Sequence, residues 1–224
     1  MMTLRQHNFF YLLAGLLFLL LAIPVFRDLT GIGTYYYVSE LALSAFLLTG
    51  IWSLHGTRRV FLLGIVLVTL SVGGNILALA SAGVFFVYLS LCSFTLFLLL
   101  TISLAIRQVM LSGTVNANSI IGAICIYLLL GVIWAFFYLF VNILIPGSFN
   151  VQISGSAYAQ LHDFIYYSFV TLTTLGYGDI APIRETARAL ATIEAILGQF
   201  YIATLVAGLV AAYITRKEPT SNGG

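Results

Sequence analysis

Apolar residues in this chain come in long blocks separated by short polar breaks. A helix that crosses the hydrocarbon of a bilayer needs about 20 such residues. The first block runs from Asn8 to Phe26 and ends at Arg27-Asp28. The second runs from about Tyr36 to Leu54, and the third from Val60 to Ala80. A Ser81-Ala82-Gly83 turn leads into the fourth, Val84 to Ile106. A polar stretch from Arg107 to Ser119 follows, and its Gly113, Asn116 and Asn118 read as a hinge between two bundles. The fifth block runs from Ile120 to Ile145 and stops at Pro146-Gly147. The sixth runs from about Ala187 to Thr215. The pattern predicts an all-α membrane protein with six transmembrane helices. Residues 1–107 form a four-helix membrane domain, 108–118 a linker, 119–215 a second membrane domain, and 216–224 a short disordered tail. A cleaved leader is the other reading of the first block. That block is longer than a signal core, and no small-x-small site follows it, so it reads as a retained span.

Composition sharpens this class. Hydrophobic residues make up 61% of the 224 and charged ones 7%, where a soluble domain carries about 25% charge. A soluble fold needs a largely charged and polar exterior, so that class is excluded. Disordered chains need low hydrophobicity, so they are excluded too. Nine basic residues, scattered along the chain, do not make a nucleic-acid surface. Cys92 and Cys125 lie inside apolar runs and read as small hydrophobes. With six spans, Arg5, Arg58, Arg59, Arg107, Arg216 and Lys217 share one side, and Arg27, Arg184 and Arg188 the other. Basic residues favour the cytoplasm, so both termini are expected there, in a multi-pass protein of the plasma (inner) membrane.

The chemistry concentrates between the fifth and sixth blocks. Phe164 to Thr173 is apolar but too short to span. It suits a re-entrant half-helix, which survives at membrane depth only where protein or water surrounds it. Asp163 is placed to cap its start. Its C-terminal end, near Thr173, points partial negative charge at whatever lies beyond, which favours a cation. Next comes Thr174-Leu175-Gly176-Tyr177-Gly178-Asp179, in which glycine stands at every second place. A strand whose carbonyls all face one way needs alternating backbone conformations, and glycine supplies the left-handed ones cheaply.

This Thr-Leu-Gly-Tyr-Gly-Asp run, with the half-helix before it and a span on each side, resembles the selectivity filter of six-span tetrameric potassium channels of bacterial type. The resemblance covers the fifth span through the sixth. It implies that carbonyls of Thr174, Leu175, Gly176 and Tyr177, with the Thr174 hydroxyl and Gly178 beside them, replace the hydration shell of K+. K+ in the filter is then the only ligand, with no cofactor and no enzymatic role. One chain supplies one strand of the cage, so three further copies of itself are the implied partners, within the lipid bilayer. Tyr166 and Tyr167 stand where many relatives carry two tryptophans, and Tyr177 is expected to pack against them. Asp179, Val170 and Thr173 complete the filter's support. Val170 stands where some members pair an acidic residue with the filter aspartate. Gly198 falls at the family's inner-helix hinge. Gln199 is expected to face the cavity below, and Ile202, Val206, Val210 and Ile214, on one helical face after the hinge, are expected to form an apolar gate. Ala203, Ala207, Gly208 and Ala211 allow close helix contacts. Glu194, one turn before Gly198, reads as a functional candidate because it is a charge inside a span, or as a structural residue behind the filter, bonded to Arg188 or backbone.

The layout is that of a voltage-gated channel, but the charges are missing. Moving one charge through the field is worth about 2.3 kcal/mol per 100 mV. The fourth block carries no Lys or Arg before Arg107, and the second and third carry only Glu40. A four-helix, voltage-sensor-like domain without sensor charges is expected, and hence a channel without intrinsic voltage gating. What opens it, including any gating ligand, is not written in the sequence. His162, at the outer rim, is a weak proton-sensor candidate. The alternatives are a weakly selective cation channel of the same fold, or a secondary transporter. Transporters show paired broken helices and ionisable midplane groups, which this chain lacks.

Overall fold

A computed structural model describes residues 8–30, 46, 58–81, 83–110, 117–150 and 157–217. Six helices order the described chain. They are α1 (Asn8–Thr30), α2 (Arg58–Ser81), α3 (Val84–Met110), α4 (Ala117–Leu144), α5 (Ala157–Leu172) and α6 (Glu185–Lys217). Three of them hold stretches long and apolar enough to cross a membrane: Arg58–Ala78, Val84–Val109 and Asn118–Leu144. In hydrocarbon no water can satisfy a free amide or carbonyl, so an apolar run of this length closes its hydrogen bonds within itself as a helix. The expected second span lies mostly outside the described residues. Of it, Phe46 is helical and buried, its ring 6.2 Å from that of Phe94.

The centre of the fold is α4, which packs against α1, α3, α5 and α6. Its sequence Val132-Ile133-Trp134-Ala135-Phe136 is buried residue after residue. A helix that is hydrophobic all round has no polar face to turn to water, so it is enclosed on every side. Helix α3 runs on to Met110 and α4 begins at Ala117; the residues between them lie outside the described ones. Polar residues between helices act locally. Ser90 Oγ donates to the Ser71 carbonyl at 2.8 Å and ties α3 to α2. Leu62, Val66 and Phe85 on that pair, and Phe18 on α1, are exposed apolar surface suited to lipid.

The turn after α4 carries an aromatic anchor. Phe149 is buried, its ring 4.9 Å from Phe164, 5.3 Å from Tyr167 and 5.8 Å from Tyr138. Phe149 also forms an antiparallel bridge with Pro182, which precedes α6. One ring thus joins α4, α5 and the approach to α6. Phe149→Ala is expected to cost about 3–5 kcal/mol, the usual range for emptying a buried aromatic site. Unfolding of the purified protein in detergent measures it; a loss well under 1 kcal/mol would show that the ring is not an anchor.

Candidate functional site

Helix α5 has 16 residues and a length of about 24 Å, short of the roughly 30 Å hydrocarbon core. It starts at Ala157, earlier than the sequence suggests. Asp163 therefore sits inside the second turn, and the capping role assigned to it is corrected. Leu161, Phe164, Ser168 and Leu172 recur at three- and four-residue spacing and are all buried. That face turns to the rest of the protein, as a helix ending at membrane depth requires.

The chain reverses at the end of α5 by using its own amides to cap the helix. Thr174 N–H donates to the Thr171 carbonyl at 2.9 Å. Leu175 and Gly176 N–H both donate to the Val170 carbonyl, at 2.9 and 3.2 Å. The peptides are trans, so each carbonyl points opposite to the amide that shares its plane. The carbonyls of Thr173, Thr174 and Leu175 are thereby turned away from α5. Positive φ angles occur at alternate residues: 60° at Thr174, 61° at Gly176 and 80° at Gly178. The alternation read from the glycines thus reaches one step further, onto a β-branched threonine. Such a residue at positive φ carries about 1–3 kcal/mol of strain, and strain of this kind collects at functional sites.

The outer end of the strand is tied by side chains. Tyr166 donates to Asp179 Oδ2 at 2.7 Å, and Ile180 N–H donates to Asp179 Oδ1 at 3.0 Å. The Tyr166 bond, and then the Ile180 amide, hold the Asp179 carboxyl below the usual carboxylate range. The pairing that Val170 cannot offer Asp179 is made by Tyr166. The two tyrosines part company: Tyr167 is buried, its ring 4.8 Å from Tyr138, while Tyr166 lies at the surface. Tyr177 is 67% exposed within the single chain. Asn150 was missed by sequence reading. Its Oδ1 accepts from Ala181 N–H at 2.7 Å and its Nδ2 donates to the Asp179 carbonyl at 3.3 Å. A lone asparagine after a Pro-Gly-Ser turn carries no signal of that reach.

On the inner side, Gly198 packs against the end of α5. A Cβ there would lie 2.5 Å from the Leu172 carbonyl oxygen. The sequence reads this glycine as a hinge; its position here enforces a close approach of two helices. Gln199 Nε2 lies 3.5 Å from Thr174 Oγ1, beneath the strand. Thr173 Oγ1 donates back to Phe169 at 2.6 Å. Ile202 is partly exposed on α6; Val206 and Val210 lie further along that helix, and their side chains fall outside the described residues. Glu194 does not bond Arg188 or backbone. It is fully buried against hydroxyls of Tyr138 and Ser168, and Arg188 instead meets Glu185 at 3.3 Å. No group of three or more His, Cys, Asp or Glu side chains that could hold a metal ion occurs among the described residues.

Residues 122–215 match a family model described as an ion channel. The chain is 35% identical over 83 residues to Two pore potassium channel a of Oryza sativa subsp. japonica, covering 37% of this chain and 24% of that protein. It is 30% identical over 91 residues to Two-pore potassium channel 4 of Arabidopsis thaliana, covering 41% of this chain and 32% of that one. The match thus spans about a quarter to a third of each relative's length.

Two substitutions test this geometry. Gly198→Ala forces a methyl into the Leu172 carbonyl and is expected to cost about 1–3 kcal/mol, the range for overpacking. Gly73→Ala, where nothing lies within 4 Å, is the control and should be neutral or mildly stabilising. Equal melting temperatures for the two variants would contradict the contact. Because its pKa is depressed in the fold, Asp179 stabilises the fold above the ordinary carboxylate range, and the contribution fades as pH falls through the lowered value. Tyr166→Phe removes the main cause. The Asp179 titration, followed by NMR, should then move upward toward the ordinary range; an unmoved midpoint would show that Tyr166 is not what holds it.

Proposed function

We propose that the protein is a potassium-selective channel that passes dehydrated K+ through cages of backbone carbonyls from Thr174, Leu175, Gly176 and Tyr177, with Gly178 and the Thr174 hydroxyl completing the strand. The observation that carries this reading is the alternation of positive φ at Thr174, Gly176 and Gly178, on a strand whose first carbonyls face away from α5. Nothing in a simple inter-helix turn calls for three left-handed residues at alternate positions, one of them a threonine. The ion-channel match over 122–215 and the potassium-channel relatives support the same reading.

One chain offers one wall of a cage. The reading therefore includes a homotetramer around a central axis, with α6 lining the inner pore and six spans per chain. Phe200 and Ile196, both exposed on α6 within a single chain, suit burial against neighbouring copies. Ile202, Val206 and Val210 then narrow the inner pore. The channel lies in the plasma membrane with both termini cytoplasmic. It is not intrinsically voltage-gated, because α3 has Arg107 in its last turn and no other basic residue. A weakly selective pore of the same fold is the competing outcome.

Reconstituted protein is expected to pass K+ far ahead of Na+ in bi-ionic recordings, with little dependence of open probability on voltage. Gly178→Ala places a side chain at φ 80° and should abolish K+ selectivity. Equal Na+ and K+ permeability of the unaltered protein would sink the selective reading. Transport without four-subunit assembly, seen by native mass spectrometry, would sink the channel itself.

A further inference from the structure

The buried carboxyl of Glu194 is not used by the ion path described above. It sits where α4, α5 and α6 meet, fully inaccessible to solvent. Tyr138 on α4 donates its hydroxyl to Oε2. Ser168 on α5 brings its Oγ within 2.5 Å of Oε1 and, on its other side, within 2.7 Å of the Gly131 carbonyl oxygen. Oxygen atoms at these separations are held by a proton between them. Two contacts meet at Ser168 Oγ, and each needs one. The Gly131 carbonyl has no proton and Ser168 has one. An ionised Glu194 has none and can only accept. One contact would then set lone pair against lone pair.

From this proton count we propose that Glu194 is held neutral and donates its own O–H to Ser168, making it a buried proton-binding site that positions the end of α5. The chain of donors then runs one way: Glu194 to Ser168, Ser168 to Gly131, with Tyr138 donating to the remaining Glu194 oxygen. Every oxygen is satisfied. The surroundings suit a neutral acid. Facing titratable groups are Tyr138 and Tyr127 on α4 and Tyr167 on α5. On α6, Arg188 is turned to Glu185 and to the Pro182 carbonyl. No Arg, Lys or His among the described residues pairs with Glu194, and an unpaired buried carboxylate is strongly unfavourable.

The position gives the proton a consequence. Ser168 lies two residues before Val170, whose carbonyl receives the Leu175 and Gly176 amides. Loss of the proton leaves one proton for the two contacts at Ser168, so either its tie to Glu194 on α6 or its tie to Gly131 on α4 opens, and it leaves a charge that the site cannot hold. The end of α5 then shifts, and the strand it caps shifts with it. Alkaline pH is expected to lower ion flux by this route. The assignment of the proton rests on the fold alone; its effect on flux rests on the channel reading.

Infrared spectroscopy of the full-length protein in lipid separates the two. A carbonyl stretch of a protonated carboxylic acid should be present at neutral pH, fade on alkalinisation, and be missing in Glu194→Gln. Glutamine keeps the shape: its amide donates to Ser168 and its carbonyl accepts from Tyr138. Glu194→Gln should therefore retain flux and lose the alkaline decline, whereas Glu194→Ala loses flux and thermal stability. Absence of the stretch in the unaltered protein at neutral pH would overturn the proposal, without touching the channel reading. Glu194→Gln as damaging as Glu194→Ala would overturn it as well, since it would show that a charged carboxylate is needed. A protein that shows the stretch but no K+ flux would keep the proton site and refute the channel.

Discussion

Amides and carbonyls at membrane depth must find partners within the protein, and the strand from Thr173 to Gly178 lies outside any helix or sheet. Its amides from Thr173 to Gly176 turn back onto the carbonyls of the last turn of α5. That one arrangement has two effects. It closes the end of a helix that is too short to cross the bilayer, and it forces the first carbonyls of the strand to face the opposite way. The oxygens left without internal partners are the ones a cation can use. Helices α4 and α6 and the turns beside them hold the end of α5 in place.

That support comes from three sides. Helix α4 stands behind α5 and is buried through its middle, from Leu129 to Leu139 in large part, with Tyr138, Phe149, Phe164 and Tyr167 packed ring against ring. Helix α6 comes close enough at Gly198 to touch the Leu172 carbonyl. The segment beyond the strand is pinned by Tyr166 on Asp179 and by Asn150 on Ala181. Tyr127 adds a hydroxyl to the Leu172 carbonyl at 3.3 Å. These are short-range contacts between side chains and backbone, and they hold one side of a strand whose other side is exposed within a single chain.

Much of this was legible in the sequence because it depends on local patterns. Apolar blocks of span length gave α2, α3 and α4 with every boundary within four residues, since a helix satisfies their backbone in lipid. Gly176 and Gly178 announced the left-handed positions because glycine is the cheap way to reach them. Thr174 did not, since nothing in a threonine signals positive φ; only the helix end above it imposes that. Asp163 looked like a cap because the apolar run begins after it, but Ala157-Tyr158-Ala159-Gln160 are good enough helix formers to start α5 earlier. Glu194 was visible as an unusual charge inside a span. Its partners were not, because Tyr138 and Ser168 lie far away in sequence and meet it only through the packing of three helices. Tyr166 and Tyr167 differ by one position, about 100° on a helix, and only the docking of α5 decides which one faces Asp179.

The account turns on whether cations occupy the row of carbonyls on this strand. Anomalous scattering from crystals of the protein grown with thallium in place of potassium tests it most directly. A column of thallium peaks is expected on a four-fold axis, level with Thr174, Leu175, Gly176 and Tyr177. Crystals that diffract well and show no peak beside those residues, or peaks only at carboxylates such as Asp179, would contradict it.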